Sequence, residues 1–532
     1  MTRHSICIAL LALVALGGCR KKGDYYSPAA GGYAGEAMAY DPGGVVIASE
    51  APEAPEQPSA EEYDAIVEND FIAVADDPLS TFAIDVDTAS YSNVRRFLKD
   101  GALPPASAVR IEELVNYFDY SYEAPSGPHP FAVASEVAPA PWAPSHLLVR
   151  IGLEGKHIAQ GKAPAKNLVF LLDVSGSMNA PDKLPLLQHA MRLLASQLRD
   201  TDRIAIVVYA GAAGVVLEPT SDRRAIEDAI GRLEAGGSTN GGQGIELAYA
   251  LAAKNFQKDA VNRVVLATDG DFNVGVSSNG ELMKLIEKQR EGGVFLTVLG
   301  FGTGNLGDST METLADHGNG NYAYIDGPEE AEKVLLREVD STLVTIAKDV
   351  KLQVEFNPAE VASYRLIGYE NRKLAHQDFN DDKKDAGEIG AGHEVTALYE
   401  VVPAGIGSKD GKVDDLKYQN DRTTKVASIG GELLNVKLRY KQPDGDESTM
   451  FEVPVRAADA NASTDFRFAA AVAEFGMLLR DSKHKGNASW AQTIELARES
   501  VGNDPHGERR ELVGLVQAAA KLSGGDPIKR AR

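Results

Sequence analysis

The region from residue 165 to about 345 alternates apolar with amphipathic segments, and this alternation constrains the fold more than any other feature of the chain. The main strand candidates are continuously apolar, as strands buried on both faces are, and lie at 167–173, 203–209, 263–269 and 294–300. A short pair of strands is expected at the sheet edges, at 215–218 and 322–325. Helices are expected near 183–199, 222–232, 242–255, 279–291, 308–316 and 328–344. This pattern predicts a doubly wound, mostly parallel α/β sheet with helices on both faces.

Oxygen-bearing side chains follow two of these strands. Asp173, Ser175 and Ser177 occupy alternate positions directly after the apolar run 168–172, and Asp269 ends another strand. Doubly wound sheets bind ligands beyond the carboxyl ends of their strands, so these side chains are expected to share one edge. Ligand sets made only of oxygen suit a hard divalent cation such as Mg²⁺. Ordinary use of Asp and Ser in turns and helix caps is the alternative for this pattern taken alone.

A glycine-rich loop adds a further hydroxyl to the candidate site. Residues 236–242 read Gly-Gly-Ser-Thr-Asn-Gly-Gly and lie directly before an expected helix. Thr239 is the preferred ligand of this loop, and Ser238 is its rival.

The order of these motifs resembles the metal-ion-dependent adhesion site of the von Willebrand factor type A (VWA) family, which consists of Asp-x-Ser-x-Ser, a loop threonine and Asp-Gly. The fold of that family is Rossmann-like. The resemblance implies that Ser175 and Ser177 bind the cation directly through their hydroxyls. It implies that Thr239, Asp173 and Asp269 bind it directly or through water. The implied cation is Mg²⁺, with Mn²⁺ or Ca²⁺ as alternatives, and an acidic residue of a partner protein completes the octahedron.

The start of the chain has the features of a lipoprotein signal peptide. A short basic segment precedes an apolar run at 6–16, which is too short to span a membrane as a mature helix. Residues 16–19 read Leu-Gly-Gly-Cys and resemble a bacterial lipobox, which implies that Cys19 is lipidated and anchors the protein to a membrane. Arg20 stands where Asp would resemble an inner-membrane retention signal, so the outer membrane, on its periplasmic or surface face, is the expected location. An ordinary signal peptide with an incidental cysteine is the alternative.

Composition and periodicity divide the chain into six segments. They are a lipoprotein signal peptide (1–18), a disordered tether (19–69), an N-terminal α+β module (70–160), the VWA domain (165–345), an antiparallel β-sandwich module (346–460) and a small helical C-terminal module (465–523). Two stretches, 76–88 and 364–372, resemble the modules that flank VWA in a group of bacterial lipoproteins. We predict that the strands at 131–153 join those of 346–460 in one sandwich, with the VWA domain as an insertion.

Two carboxylates in the N-terminal module have an ordinary explanation. Asp85 and Asp87 precede a helix expected at 89–99, and Asp87 or Thr88 is expected to cap it. Ser107 is expected to cap the next helix.

Charge and motif content narrow the function. The formal net charge of −23 argues against nucleic-acid binding, which needs a basic footprint. The sequence lacks His-Glu-x-x-His, Gly-x-Ser-x-Gly and a phosphate-binding loop, so no enzyme is expected. We therefore predict a lipid-anchored envelope protein that binds a carboxylate of a partner protein through its cation, as an adhesion or assembly module. The alternatives are an envelope scaffold in which the ion only stabilises loops and a Mg²⁺-dependent hydrolase.

Overall fold

The computed structural model describes residues 61–159, 162–239, 241–270, 272, 279–384, 386–406, 431–457 and 462–524. Cys19, the signal peptide and most of the predicted tether lie outside these residues. The first elements are β1 (Ile72–Ala73), β2 (Leu79–Ala83), α1 (Ala89–Lys99), α2 (Ile111–Asn116), β3 (Phe131–Ala140) and β4 (Ala143–Gly155).

The segment 61–69, which composition assigns to the disordered tether, binds along the folded chain. The Glu61 carboxylate pairs with Arg96 at 2.8 Å, and the Asn69 side chain donates to the carbonyl of Gly368 at 2.8 Å. Composition misses these contacts because every partner lies far away in sequence.

Helix α1 has the predicted bounds because Tyr91, Val94 and Leu98 recur on one face that is buried in the core. Its expected cap is wrong. Thr88 stands at the N-cap position but makes no capping hydrogen bond, and Asp87 accepts a hydrogen bond from the backbone of strand β10, described below.

The expected cap of the second helix is also wrong. Helix α2 begins at Ile111, and Ser107 lies in a separate 3₁₀ turn, Ala106–Ala108. A serine near an apolar periodic segment does not distinguish a cap from a preceding turn.

The predicted α/β sheet follows. Its strands are β5 (Lys166–Asp173), β6 (Arg203–Tyr209), β7 (Ala213–Thr220), β8 (Val261–Thr268), β9 (Phe295–Phe301) and β10 (Tyr322–Ile325). Their order is β10-β9-β8-β5-β6-β7, and all neighbours are parallel except the antiparallel edge pair β6–β7. The two expected edge strands do lie at the edges, as β10 and β7, but β7 has eight residues where a short strand at 215–218 was expected.

Helices cover both faces of this sheet. They are α3 (Leu184–Ser196), α4 (Arg223–Gly231), α5 (Gly241–Lys254), α6 (Asn279–Glu291), α7 (Asp308–His317), α8 (Pro328–Glu332) and α9 (Val339–Leu343). Along β5, Phe170 and Leu172 face one buried core while Val169 and Leu171 face the other. The single helix expected at 328–344 is instead α8, a π-helical turn and α9.

The chain then forms six antiparallel strands. They are β11 (Thr345–Phe356), β12 (Val361–Ile367), β13 (Gly387–Gly390), β14 (Glu394–Pro403), β15 (Glu432–Lys441) and β16 (Ser448–Arg456). One sheet has the order β1-β12-β14-β4-β3, and a second has the order β13-β11-β15-β16 with β2 also paired to β11. Side chains from both sheets, including Ile151, Leu352 and Tyr399, share one core, which makes a sandwich.

The sandwich joins the two sides of the α/β domain. Strand β4 pairs with β14 over Leu147–Glu154, so the predicted association of 131–153 with 346–460 is confirmed. The α/β domain is therefore inserted between strands β4 and β11.

Three helices close the described chain: α10 (Thr464–Leu479), α11 (Trp490–Glu499) and α12 (Glu508–Leu522). Phe468 and Val472 of α10 and Leu512 of α12 share a core with Tyr91 and Leu114 of the first two helices. The C-terminal helices are therefore built onto the N-terminal ones. Among the described residues, no helix combines the length and apolar character needed to cross a membrane.

Candidate metal centre

The candidate site lies at the carboxyl edge of the α/β sheet. Asp173 is the last residue of β5, and Asp269 follows the last residue of β8. These strands are parallel neighbours, with Leu172 opposite Ala267, so both carboxylates emerge at the same edge. Both are fully buried, at 0% exposure.

A chain of hydrogen bonds links four of the predicted ligands. The Asp173 carboxylate accepts from the backbone N–H of Ser175 at 2.8 Å. The Ser175 and Ser177 hydroxyl oxygens are 2.9 Å apart, and Ser177 hydrogen-bonds in turn to Asp269. Ser175 is buried and Ser177 is exposed, so the set runs from the sheet edge towards solvent.

The loop that carries Thr239 is fastened to this edge through its backbone. The Gly236 N–H donates to the carbonyl of Val174 at 2.7 Å, and the Gly237 carbonyl accepts from the N–H of Gly176 at 3.0 Å. Gly237 has a φ of +90°, a conformation that glycine adopts without strain. Thr239 is half-buried at the end of this loop.

The two carboxylates differ in charge environment. Burial raises the pKa of Asp173 above its ordinary value, and the charge of Asp269 adds to this, although hydrogen bonds from Ser175 oppose it. Burial also acts to raise the pKa of Asp269, but hydrogen bonds from Lys183 and Ser177 outweigh it and leave the value below the ordinary one. Among the described residues, no cationic side chain pairs with Asp173.

The sequence prediction missed the cation that Asp269 does have. The ammonium of Lys183 lies 2.9 Å from Asp269 Oδ2 and 2.9 Å from Asn305 Oδ1. Lys183 directly precedes helix α3, where the helix dipole disfavours a positive charge. That mismatch is the one sequence signal that could have pointed to a local anionic partner.

A tight turn follows Asp269. Gly270 has a φ of +99°, and a Cβ atom there would lie 2.3 Å from the backbone nitrogen of Gly307. Only glycine allows the Asp269 turn to pack this closely against the loop between β9 and α7, which also carries Asn305.

A second group of buried carboxylates lies away from the sheet edge. Oxygens of Asp85, Glu113 and Glu312 all fall within 4.8 Å of one another. Arg110 and Arg372 insert among them, with Arg110 2.8 Å and Arg372 3.0 Å from Glu312 oxygens. Because each of these carboxylates pairs with a guanidinium group, the group is an ion-pair network that ties helix α7 to the N-terminal module and the sandwich.

The donor set at the sheet edge fits a hard divalent cation. It consists of carboxylates and hydroxyls only, with one fully buried carboxylate, Asp173, that lacks a positive partner among the described residues. Each of the three carboxylates of the ion-pair network, by contrast, lies within 3.1 Å of a guanidinium nitrogen.

Comparison with known families agrees with this fold. The family model "von Willebrand factor" matches residues 57–150, and "von Willebrand factor type A domain" matches 168–271. The fold and these matches define a VWA domain protein, a class that often binds a divalent metal ion and commonly mediates protein–protein interaction.

A third family model, "Uncharacterized protein YfbK, C-terminal", matches residues 341–522. The chain is 45% identical over 471 residues to "Uncharacterized protein YfbK" of Escherichia coli K12, and the match covers 87% of this chain and 81% of that protein. The chain belongs to the YfbK family of VWA domain proteins.

More distant relatives share parts of the chain. A "UPF0353 protein" of Mycolicibacterium paratuberculosis is 24% identical over 216 residues, covering 37% of this chain and 64% of that protein. The solved structure "von Willebrand factor type A from Catenulispora acidiphila" is 19% identical and covers 75% of this chain and 91% of that one, with a TM-score of 0.41.

Proposed function

We propose that this protein is a lipid-anchored component of the bacterial cell envelope whose VWA domain binds a divalent cation and, through it, a carboxylate of a partner protein. The observation that carries the proposal is the hydrogen-bonded chain from Asp173 through Ser175 and Ser177 to Asp269 at one sheet edge. The charge of Asp269 contributes to raising the pKa of the buried Asp173 carboxylate, and a divalent cation beside both groups would offset that repulsion.

The predicted ligands differ in burial and in what each would contribute to the site. Asp173 is fully buried and supplies negative charge, while its hydrogen bond from the Ser175 backbone fixes the strand end. Ser175 and Ser177 offer neutral oxygens, and the exposed Ser177 stands nearest to solvent. Thr239 adds a hydroxyl from a loop that is held by its backbone. A bound Mg²⁺ would supply an open coordination position for an acidic residue of the partner.

Cation binding is tested by calorimetric titration of Mn²⁺ or Mg²⁺ into the wild type and the Asp173→Asn variant. Asn keeps the side-chain shape and removes the charge, so we expect binding in the wild type and none in the variant. Asp222→Asn is the matched control, because Asn also caps helices well and Asp222 caps α4 at the opposite edge of the sheet, where β7 ends beside the start of β6. Equal affinities for wild type and Asp173→Asn would show that the cation binds elsewhere.

The partner is tested by affinity capture from envelope extracts with and without a chelator. A protein retained by the wild type only in the presence of cation, and lost with Asp173→Asn, supports a binding module. Cation binding without any cation-dependent partner would favour the scaffold alternative, in which the ion only stabilises the loops.

Membrane anchoring is the remaining part of the proposal and depends on Cys19, which lies outside the described residues. Cys19→Ser should yield uncleaved precursor or protein that leaves the membrane fraction, because the thiol is the acylated group. One acyl chain binds membranes weakly, so more than one is expected on the mature protein. Undiminished incorporation of labelled lipid in the variant would contradict this assignment.

A further inference from the structure

The candidate metal centre already contains a positive charge that belongs to the chain itself. The Lys183 ammonium lies 2.9 Å from Asp269, and the lysine and aspartate side chains are 8% and 0% exposed. Its other partner is the side-chain oxygen of Asn305, also at 2.9 Å. The ammonium is therefore held by two oxygens in a poorly solvated site.

The fold accommodates this lysine specifically. Its aliphatic stem passes over Gly302, where a Cβ atom would lie 2.3 Å from both Lys183 Cγ and Cε. Gly302 has a φ of +75°, so its backbone also favours glycine. A surface lysine that had merely swung inwards would not need a side-chain-free residue beneath it.

Lys183 and the predicted ligands belong to one short stretch of chain. The 3₁₀ turn Gly176–Asn179 follows Ser175, and the Lys183 N–H donates to the carbonyl of Ala180 at 3.0 Å. The Lys183 ammonium therefore lies at the same sheet edge as Ser175, where this stretch of chain begins. A divalent cation that approaches Asp269 meets this ammonium.

Two cations near one buried carboxylate repel each other strongly, because little water screens them. When a divalent cation binds the Asp269 carboxylate, the Lys183–Asp269 contact either breaks or remains while the ammonium and the cation repel each other. Either case weakens cation binding relative to a site without the lysine.

We propose that Lys183 is an internal competitor for the metal centre and sets its affinity for divalent cations by neutralising Asp269 in the metal-free protein. This inference rests on the proposed function, since it concerns the same site. Lys183 would then determine the affinity of the site for cations without being one of the metal ligands.

The test is calorimetric titration of Mn²⁺ into the full chain as wild type, Lys183→Met and Lys183→Gln. Both variants remove the charge, and Gln also keeps a hydrogen-bonding group. We expect each to bind Mn²⁺ about tenfold or more tightly than the wild type. Lys166→Met is the matched control, because Lys166 is a buried lysine paired with Asp340 at 3.0 Å at the opposite end of strand β5. It should bind as the wild type does.

Thermal unfolding of each variant provides a second readout. Saturating Mn²⁺ should raise the midpoint of Lys183→Gln by more than that of the wild type, because tighter binding stabilises the folded state further. Should the Met variant fail to fold, the Gln variant decides the question.

The outcomes separate the two proposals. Measurable binding by the wild type with equal or weaker binding by the folded Lys183 variants would overturn the role of Lys183 and leave the proposed function intact. Binding by the Lys183 variants alone supports both. Absence of binding in every variant would remove the proposed function and this inference together.

Discussion

Removal of the Arg372 guanidinium should destabilise the protein far more than removal of an average surface arginine. Arg372 lies 3.1 Å from Asp85, 3.0 Å from Glu312 and 3.5 Å from Asp87, and it also pairs with Asp316. The arginine side chain is 12% exposed, and the first three carboxylates are 2–8% exposed.

Arg372→Met therefore leaves several buried carboxylates without their main counter-charge. Breaking a buried ion pair from one side costs about 3–5 kcal/mol, and that is the loss of unfolding free energy we expect. Asp316 is 38% exposed, so solvent screens its share and it adds little to this figure.

Urea denaturation followed by circular dichroism measures this loss, with Arg456→Met as the control. Arg456 pairs with Glu432 at 3.4 Å but its side chain is 65% exposed, so its removal should cost less than about 1 kcal/mol. Similar losses for the two variants would refute the view that burial of the network determines its contribution.

The pH dependence of the Arg372→Met loss provides an internal check. Burial raises the pKa of Glu312 to about 7, against the opposing charges of Arg110 and Arg372. Without Arg372 that pKa rises further, and the folded variant keeps its proton up to a higher pH. The stability deficit should therefore be smaller near pH 5 than near pH 8.

Burial raises the pKa of Glu154 to about 7 and that of Glu394, opposite it on the neighbouring strand, to about 8. This pair stabilises the folded state fully below the ordinary pKa of a glutamate, and the stabilisation is lost as the pH rises through 7 to 8. The urea midpoint of the wild type should therefore fall between about pH 5 and 8, and that of Glu394→Gln should fall less. Gly270→Ala should lower the unfolding free energy by about 1–3 kcal/mol from backbone strain alone, whereas Gly231→Ala, with open space around it, should be neutral or stabilising in the same denaturation assay. Ser463→Ala should cost about 1 kcal/mol in thermal unfolding, because the serine hydroxyl caps helix α10, and Ser463→Thr, which keeps the hydroxyl that also donates to Glu136 at 2.7 Å, should retain most of the stability.

The architecture was largely predictable because it rests on local patterns. A continuously apolar run such as 168–172 indicates a strand buried on both faces, and the alternation of such runs with helices indicates a parallel sheet. The period-two segment 350–356 likewise indicated an antiparallel strand, although Lys351 and Gln353 on its polar face are buried as well.

The errors at Asp87 and in the segment 61–69 share one physical cause, which is a partner distant in sequence. Asp87 looks like a helix cap until Arg372 is known to lie 3.5 Å away. Lys183, which the sequence prediction did not single out, likewise contacts Asp269, 86 residues further along the chain. The role of a charged side chain depends on its neighbours in space, and sequence periodicity does not show which residues those are. The oxygen ligands could therefore be predicted from the sequence, but the charges around them could not.

The insertion of the VWA domain between β4 and β11 has a consequence for biosynthesis. Strand β4 ends at Gly155, but its neighbour β14 starts only at Glu394. When the chain emerges from its N-terminus, one side of the β3–β4 hairpin therefore stays without its partner until 239 further residues have appeared, since 394 − 155 = 239. Such an open strand edge is a template for aggregation, so the nascent sandwich half needs shielding during this interval. Rapid folding of the inserted domain, which brings its two ends together, shortens the loop that must close before β14 can dock.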